Sequence, residues 1–292
     1  MFPDFNDMMI SEKGDSWIMI RYGLATCFYP QPSADRWRAS AAAGFTEAEI
    51  DTDKTQSTEQ ILAYSQLLSD QLQQAGLRPT SFHLPFGHRW DVSAPDAQLR
   101  HQVLQQLKQM LQWCGQRGIT TAVLHASYEP VEPQQRQSRC ALAADSVTEL
   151  AQAAQEYGLC IAVENLPRSC LGNCAEELRQ IIGSHRNVGV CFDVNHLLGQ
   201  THREFVSQIG HRIITTHLSD YDGQDEKHWM PGEGCIDWAE LRVLLEEAGY
   251  QGRLLFELGN DATPSFACPI TARQLMERFQ QLYFAGKERK LQ

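Results

Sequence analysis

Short apolar runs alternate with longer amphipathic segments along the whole chain. The runs are "WIMIRYGLA" (17–25), the weaker "FTEAEIDT" (45–52), "PTSFHL" (79–84) and "TTAVLH" (120–125). They continue as "CIAVEN" (160–165), "VGVCFD" (188–193), "IITTHL" (213–218) and "RLLFEL" (253–258). Runs this short and this apolar suit strands covered on both faces, as in a parallel sheet. The segments between them have helical spacing. In 94–118, Leu99, Val103, Leu107, Met110 and Cys114 recur every three or four residues and form one apolar stripe. Asp96 is the expected N-cap, and Gly115 or Gly118 the expected stop. The stretch 138–158 repeats the pattern with Ser138 near its start and Gly158 after its end. The stretch 237–252 does so with Asp237 as N-cap and Gly249 near the C-terminus. The last helix is expected over 271–284.

Eight strand–helix units in 292 residues predict an α/β chain folded as one (β/α)8 TIM barrel, a single domain over 1–292 with residues 1–16 as an N-terminal extension. The competing open doubly wound sheet usually carries a glycine-rich phosphate turn after its first strand, and "RYGLATCFYP" has none. No Gly-, Ser- or Pro-rich linker divides the chain.

The strand ends change the picture from architecture to chemistry. The third run ends at His83, the fourth at His125 and the fifth at Glu164. The sixth ends at Asp193 with His196 three residues on, the seventh at His217 and the eighth at Glu257. In a parallel barrel these ends share one rim. The loop after the seventh strand, "HLSDYDGQDEKHWMPGEG", adds Glu226 and His228. A single strand-end histidine or carboxylate reads first as structure or a helix cap. Many of them converging would leave buried charges poorly paired, and a bound divalent cation resolves that conflict. His88, His101, His185, His202 and His211 lie away from the strand ends and read as surface or helix residues.

Composition adds limits. The formal net charge of −11 disfavours non-specific binding to nucleic acid, which depends on clustered Lys and Arg. No apolar run reaches the ~20 residues of a membrane span. The N-terminal stretch has acids where a signal peptide carries positive charge. The nine cysteines are scattered without a C-x-x-C pair, which reads as reduced thiols in a cytoplasmic protein. Trp90 and Trp229 are candidate apolar walls for a sugar, with ordinary packing the preferred reading. Arg89, Arg168 and Lys227 are candidate phosphate ligands, with solvation or salt bridging the preferred reading.

The segments "SFHLPFG", "VLHAS", "AVENLP", "CFDVNH", "THLSD", "HWMPGEGCIDW" and "LLFELG", in this order, resemble the xylose isomerase-like TIM barrels, a group of sugar isomerases, sugar epimerases and apurinic-site endonucleases. The resemblance spans nearly the whole chain. It implies a metal set of Glu164, Asp193, His217 and Glu257 holding Mn²⁺, Mg²⁺, Co²⁺ or Zn²⁺. Glu164 and Glu257 then double as the catalytic acid/base pair acting on a small sugar or sugar phosphate through an enediolate. The trinuclear zinc branch of the family adds positions that fall on His83, His125, His196, Glu226 and His228, implying further zinc ions. Glu226 departs from that branch, which has Asp there, and a loop shift would offer Asp225 instead. In the sugar reading, His196 holds a hydroxyl or the developing oxyanion, and His83 and His125 position the far end of the substrate. Asp237 is expected to cap its helix rather than touch substrate. The alternative activity is a multinuclear zinc phosphodiesterase of the apurinic-site endonuclease kind. A barrel that binds metal without catalysis is a third reading, opposed by the intact Glu164–Glu257 pair.

Overall fold

The fold is described from a computed structural model, which describes residues 9–10, 18–261 and 269–286. Most of the expected N-terminal extension therefore lies outside the described residues, as does Cys268. Eight parallel strands alternate with eight helices. The strands are β1 (Tyr22–Ala25), β2 (Glu47–Ile50), β3 (Arg78–His83), β4 (Thr121–Leu124), β5 (Cys160–Glu164), β6 (Val188–Asp193), β7 (Ile213–His217) and β8 (Leu254–Phe256). The helices are α1 (Ala34–Ala42), α2 (Thr58–Gln74), α3 (Ala97–Gly115), α4 (Arg136–Glu156), α5 (Ala175–Ile182), α6 (His202–Ile209), α7 (Trp238–Glu247) and α8 (Ala272–Tyr283). Each strand from β1 to β6 pairs with the next, and β8 pairs with β1. Between β7 and β8 the ring closes through one bridge, in which Leu218 N–H donates to Leu255 O at 2.8 Å and Glu257 N–H to Leu218 O at 3.2 Å. This is the expected (β/α)8 barrel.

Local chemistry explains the helix limits. Asp96 accepts from the Gln98 and Leu99 amides, and Asp237 from the Glu240 amide, so both act as the expected N-caps. Ser57, Thr201 and Thr271 form capping boxes with Gln60, Glu204 and Gln274. Among the described residues, no helix is long and apolar enough to cross a membrane, and the eight described cysteines are free.

The first apolar run behaves differently from expectation. Only Tyr22–Ala25 joins the barrel, while Ile18–Met19 pairs antiparallel with Met9–Ile10. The exposed Arg21 separates the two pieces, its guanidinium 3.1 Å from Glu47.

Strand residues alternate sides. Counting back by two from the rim residues His83, Glu164 and Asp193 gives Ser81, Ala162 and Cys191, small side chains inside the barrel. Ala162, Cys191 and Val123 form a cluster separate from the main core. Their small size leaves the centre of the rim to the polar groups above. The main core lies between barrel and helices. There Phe279 of α8 meets Phe256, Trp238, Tyr22 and Tyr283 with ring centroids 4.7 to 6.3 Å apart. Phe279→Ala opens that contact and should cost about 3–5 kcal/mol. Chemical denaturation measures the loss, and a change under about 1 kcal/mol would contradict this packing.

Candidate functional site

All nine candidate side chains lie at the C-terminal end of the barrel. Glu164, at the end of β5, is their hub. Its Oε2 lies 3.2 Å from His83 Nε2 and 3.1 Å from His125 Nε2. Its Oε1 lies 3.3 Å from both His196 Nδ1 and His217 Nδ1. His217 Nδ1 is also 2.9 Å from Glu257 Oε2 and 4.0 Å from Asp193 Oδ2. Donor atoms of Glu164, Asp193, His217 and Glu257 lie within 4.8 Å of one another, as do those of His83, Glu164 and His217. A second group, His196, Glu226 and His228, is equally close, with His196 Nε2 3.0 Å from Glu226 Oε2.

The strand-end asparagines fix this geometry. Asn165 donates to the Asp193 carbonyl and accepts from the Asp193 amide, both at 2.8 Å, joining the ends of β5 and β6. The Asp193 carboxylate accepts from the Asn195 amide, and Asn195 Oδ1 accepts from Lys227 N–H. Backbone carbonyls orient three imidazoles. His83 Nδ1 donates to Leu84 O, His196 Nδ1 to Asn165 O and His228 Nδ1 to Glu257 O. Each therefore turns Nε2 away from that carbonyl, and for His83 and His196 it faces a site carboxylate.

The charges are strongly coupled. Burial opposes ionisation of Glu164, yet His217 and His125 hold its carboxyl well below the usual range. Partial burial also opposes ionisation of Glu257, whose side chain is 16% exposed, and His217 overrides it and lowers this carboxyl too. Burial disfavours the His83 imidazolium, but the Glu164 hydrogen bond and charge override it and raise His83 to about 10. For His125 burial dominates and the pKa falls. Burial, with Glu164 and Glu257 nearby, pushes Asp193 up to about 6 against the pull of His196.

Two features fit a divalent cation among Glu164, Asp193, His217 and Glu257. Asp193 Oδ2 is fully buried and has no hydrogen-bond partner. His217 donates from Nε2 to Glu49 Oε1 at 2.8 Å, so the ring nitrogen left facing three carboxylates is Nδ1. Three carboxylates and one imidazole form a donor set suited to Mn²⁺, Mg²⁺, Co²⁺ or Zn²⁺.

Glu164 and Glu257 line a cavity of about 150 Å³, walled also by Phe86, Tyr128, Leu166 and Pro167. Phe86 stacks on His125 with centroids 4.2 Å apart. Of the two tryptophans, Trp90 packs in the core, as the preferred reading had it, and donates to Lys54 O. Trp229 bridges Asp220 through its backbone, and neither tryptophan lines this cavity. The three cations are salt-bridged or hydrogen-bonded to protein groups, and of the three Arg168 also lines the cavity. Arg168 pairs with Glu129, Asp225 and Glu226 at 2.7–2.8 Å, Lys227 lies 3.5 Å from Asp222, and Arg89 reaches Thr55 O. The loop shift that would offer Asp225 does not occur. Asp225 turns to Arg168, and Glu226 is the residue that faces His196.

Several residues were not singled out from the sequence. Asp220, fully buried, accepts from the Tyr221, Gly232 and Ile236 amides and the Trp238 indole, and so shapes the "PGEG" turn. A Cβ at Gly234 would meet Tyr221 O and Asp220 Oδ1 at 2.1 and 2.4 Å, so that turn requires glycine. His228 and Arg168 adopt φ of 51°, a conformation costly for side-chain-bearing residues, and each is held by the contacts given above. Glu49 is the other. The signal for it was two glutamates at alternate positions of an otherwise strand-like run.

The family model described as Xylose isomerase-like TIM barrel matches residues 37–281. Uncharacterized protein MJ1311 of Methanocaldococcus jannaschii is 35% identical over 123 residues, 39% of this chain and 42% of that protein. The chain spans between 35% and 62% of the length of the first three such relatives. L-ribulose-5-phosphate 3-epimerase UlaE of Salmonella typhi is 23% identical over 248 residues, 81% of this chain and 85% of that enzyme. A D-tagatose 3-epimerase-like protein of known structure shares the fold with a TM-score of 0.75 at 21% identity, over 94% of this chain and all of that one.

Glu226 yields a pH test. The His196 hydrogen bond, opposed by partial burial and aided by Arg168, lowers it from its usual 4.5 to about 2. A depressed carboxylate contributes its full stability above the unfolded pKa and loses it as pH falls through the folded one. The stability deficit of Glu226→Gln relative to wild type should therefore be constant above pH 4.5 and shrink between 4.5 and 2. Urea unfolding at stepped pH measures it, and a deficit unchanged across that window would contradict the assignment.

Proposed function

The chain belongs to the xylose isomerase-like TIM barrel family, and from that premise we propose that it is a divalent-metal-dependent sugar isomerase or epimerase. One observation carries the reading: Glu164, Asp193, His217 and Glu257 bring their donor atoms within 4.8 Å of one another, and Glu164 and Glu257 open onto a small cavity. The relative named as a ribulose-phosphate epimerase, matched over most of both chains, supports it. The free thiols fit a reducing, cytoplasmic setting.

A cation held by these four residues would supply Lewis acidity to the substrate carbonyl and its neighbouring hydroxyl. Glu164 and Glu257 come from β5 and the end of β8, so they approach a bound sugar from different strands. Both are ionised at neutral pH, the state a proton acceptor needs. One takes the proton from the carbon beside the carbonyl, and a proton is returned either to the neighbouring carbon or to the opposite face. His196 is placed to hold a hydroxyl or the oxygen that gains negative charge. His83 and His125, backed by Phe86, position the far end of the sugar and exclude water there. The 150 Å³ of space fits a small sugar rather than a polymer.

The group His196, Glu226 and His228 favours a second reading, a multinuclear zinc phosphodiesterase. The net charge of −11 weighs against a duplex substrate. Glu257→Gln should lower turnover across a panel of ketoses and ketose phosphates by about 10²–10⁴-fold. Chelator-treated wild type should be inactive until Mn²⁺ is restored, and metal analysis should find one divalent ion per chain. Full sugar activity in the variant would contradict the acid/base role. Three zincs with cleavage of abasic DNA would establish the second reading instead.

A further inference from the structure

The two buried glutamates of β2 have very different surroundings. Glu47 and Glu49 both have no exposure. Glu47 lies within 4 Å of three guanidiniums, those of Arg21, Arg78 and Arg253, and accepts from Thr80 Oγ1. Its charge is amply balanced. Glu49, two residues along the same strand and one layer closer to the rim, has no Lys or Arg partner among the described residues. Its Oε1 accepts from His217 Nε2 at 2.8 Å, and its Oε2 has no hydrogen-bond partner. A carboxyl group so deeply buried, with one oxygen left unpartnered, is costly to keep. A barrel interior needing only filler would carry an apolar side chain there, as β4, β5 and β6 do with Val123, Ala162 and Cys191.

What Glu49 gains is control of one ring. His217 is fully buried between two sets of acceptors, Glu49 at Nε2 and Glu164, Asp193 and Glu257 at Nδ1. Without Glu49, the remaining contacts, Glu257 Oε2 at 2.9 Å and Glu164 Oε1 at 3.3 Å, would hold the proton on Nδ1. With it, a proton is held on Nε2, and Nδ1 is the nitrogen that faces the carboxylates and would take a cation in place of its own proton. A carboxylate behind an imidazole also raises the basicity of the opposite nitrogen.

We propose that Glu49 is a positioning residue that fixes the tautomer and ring orientation of His217, so that Nδ1 is presented to a divalent cation. This rests on the metal reading given above and identifies the group that prepares its one nitrogen ligand. Glu49 touches neither cation nor substrate and acts wholly through His217.

The test uses the full-length chain, with Mn²⁺ and Zn²⁺ as probes. Calorimetric titration of Mn²⁺ should show about 10–100-fold weaker binding to Glu49→Gln than to wild type. Glu49→Asp, which keeps the charge on a shorter arm, should recover part of the loss. Melting temperatures of the metal-free proteins separate this from misfolding, since a merely structural role would lower them without a selective loss of affinity. In the Zn²⁺-loaded wild type, long-range ¹H–¹⁵N imidazole spectra should show His217 protonated at Nε2 and bound through Nδ1. Mn²⁺ affinity of Glu49→Gln within twofold of wild type would overturn the role of Glu49 while leaving the metal site intact. A wild type that binds neither ion would overturn the metal reading and this inference with it.

Discussion

The structure turns on the charge balance around one buried carboxylate. Glu164 is almost wholly withdrawn from water, yet four imidazoles lie 3.1 to 3.3 Å from its oxygens. Asp193 and Glu257 lie beside it, and Glu49 stands behind His217. Carboxylates so placed cannot remain ionised without positive charge among them. In the protein alone, imidazole protons supply that charge, as the raised values of His83, His196 and His217 record. A divalent cation can take over the same task using the same atoms. The orphaned Oδ2 of Asp193 and the single nitrogen His217 turns toward the acids are what such an exchange requires.

The barrel makes this concentration achievable. No strand carries more than a few of the groups, and alternation aims each inward. Beneath them β4, β5 and β6 contribute small residues to the interior, leaving room there for the polar side chains of the rim. Above them the loops are pinned by buried polar anchors: Asn165 between β5 and β6, Asn195 on the backbone of Lys227, and Asp220 gathering four N–H groups of the turn before α7. These contacts support the geometry without joining the chemistry. They also hold His228 and Arg168 in backbone conformations that cost energy.

Much of this was legible in the sequence because it rested on periodicity and position. Apolar runs located seven strands well, and capping residues such as Asp96 and Asp237 marked helix starts. The histidines and acids were visible because they sit where each run stops. What escaped depended on side-chain neighbours. "EAEI" looked like a weak strand because its glutamates interrupt the apolar run, and nothing local distinguishes Glu49, on a histidine of β7, from Glu47, on three arginines. The first run looked continuous because its dividing residue, Arg21, is a single position. The site's aromatic wall is Phe86 rather than Trp90, since residue type alone does not say which ring faces the core. Between Asp225 and Glu226, only the pull of Arg168 on one and the reach of the other to His196 decides their places.

The central claim is that residues from four strands share one cation. Anomalous diffraction from crystals grown with Mn²⁺, collected at the manganese edge, tests it most directly. The account predicts a peak bounded by Glu164 and Glu257, the Oδ2 of Asp193 and the Nδ1 of His217. A map with no peak there at saturating Mn²⁺, or with manganese only at surface carboxylates, would contradict it.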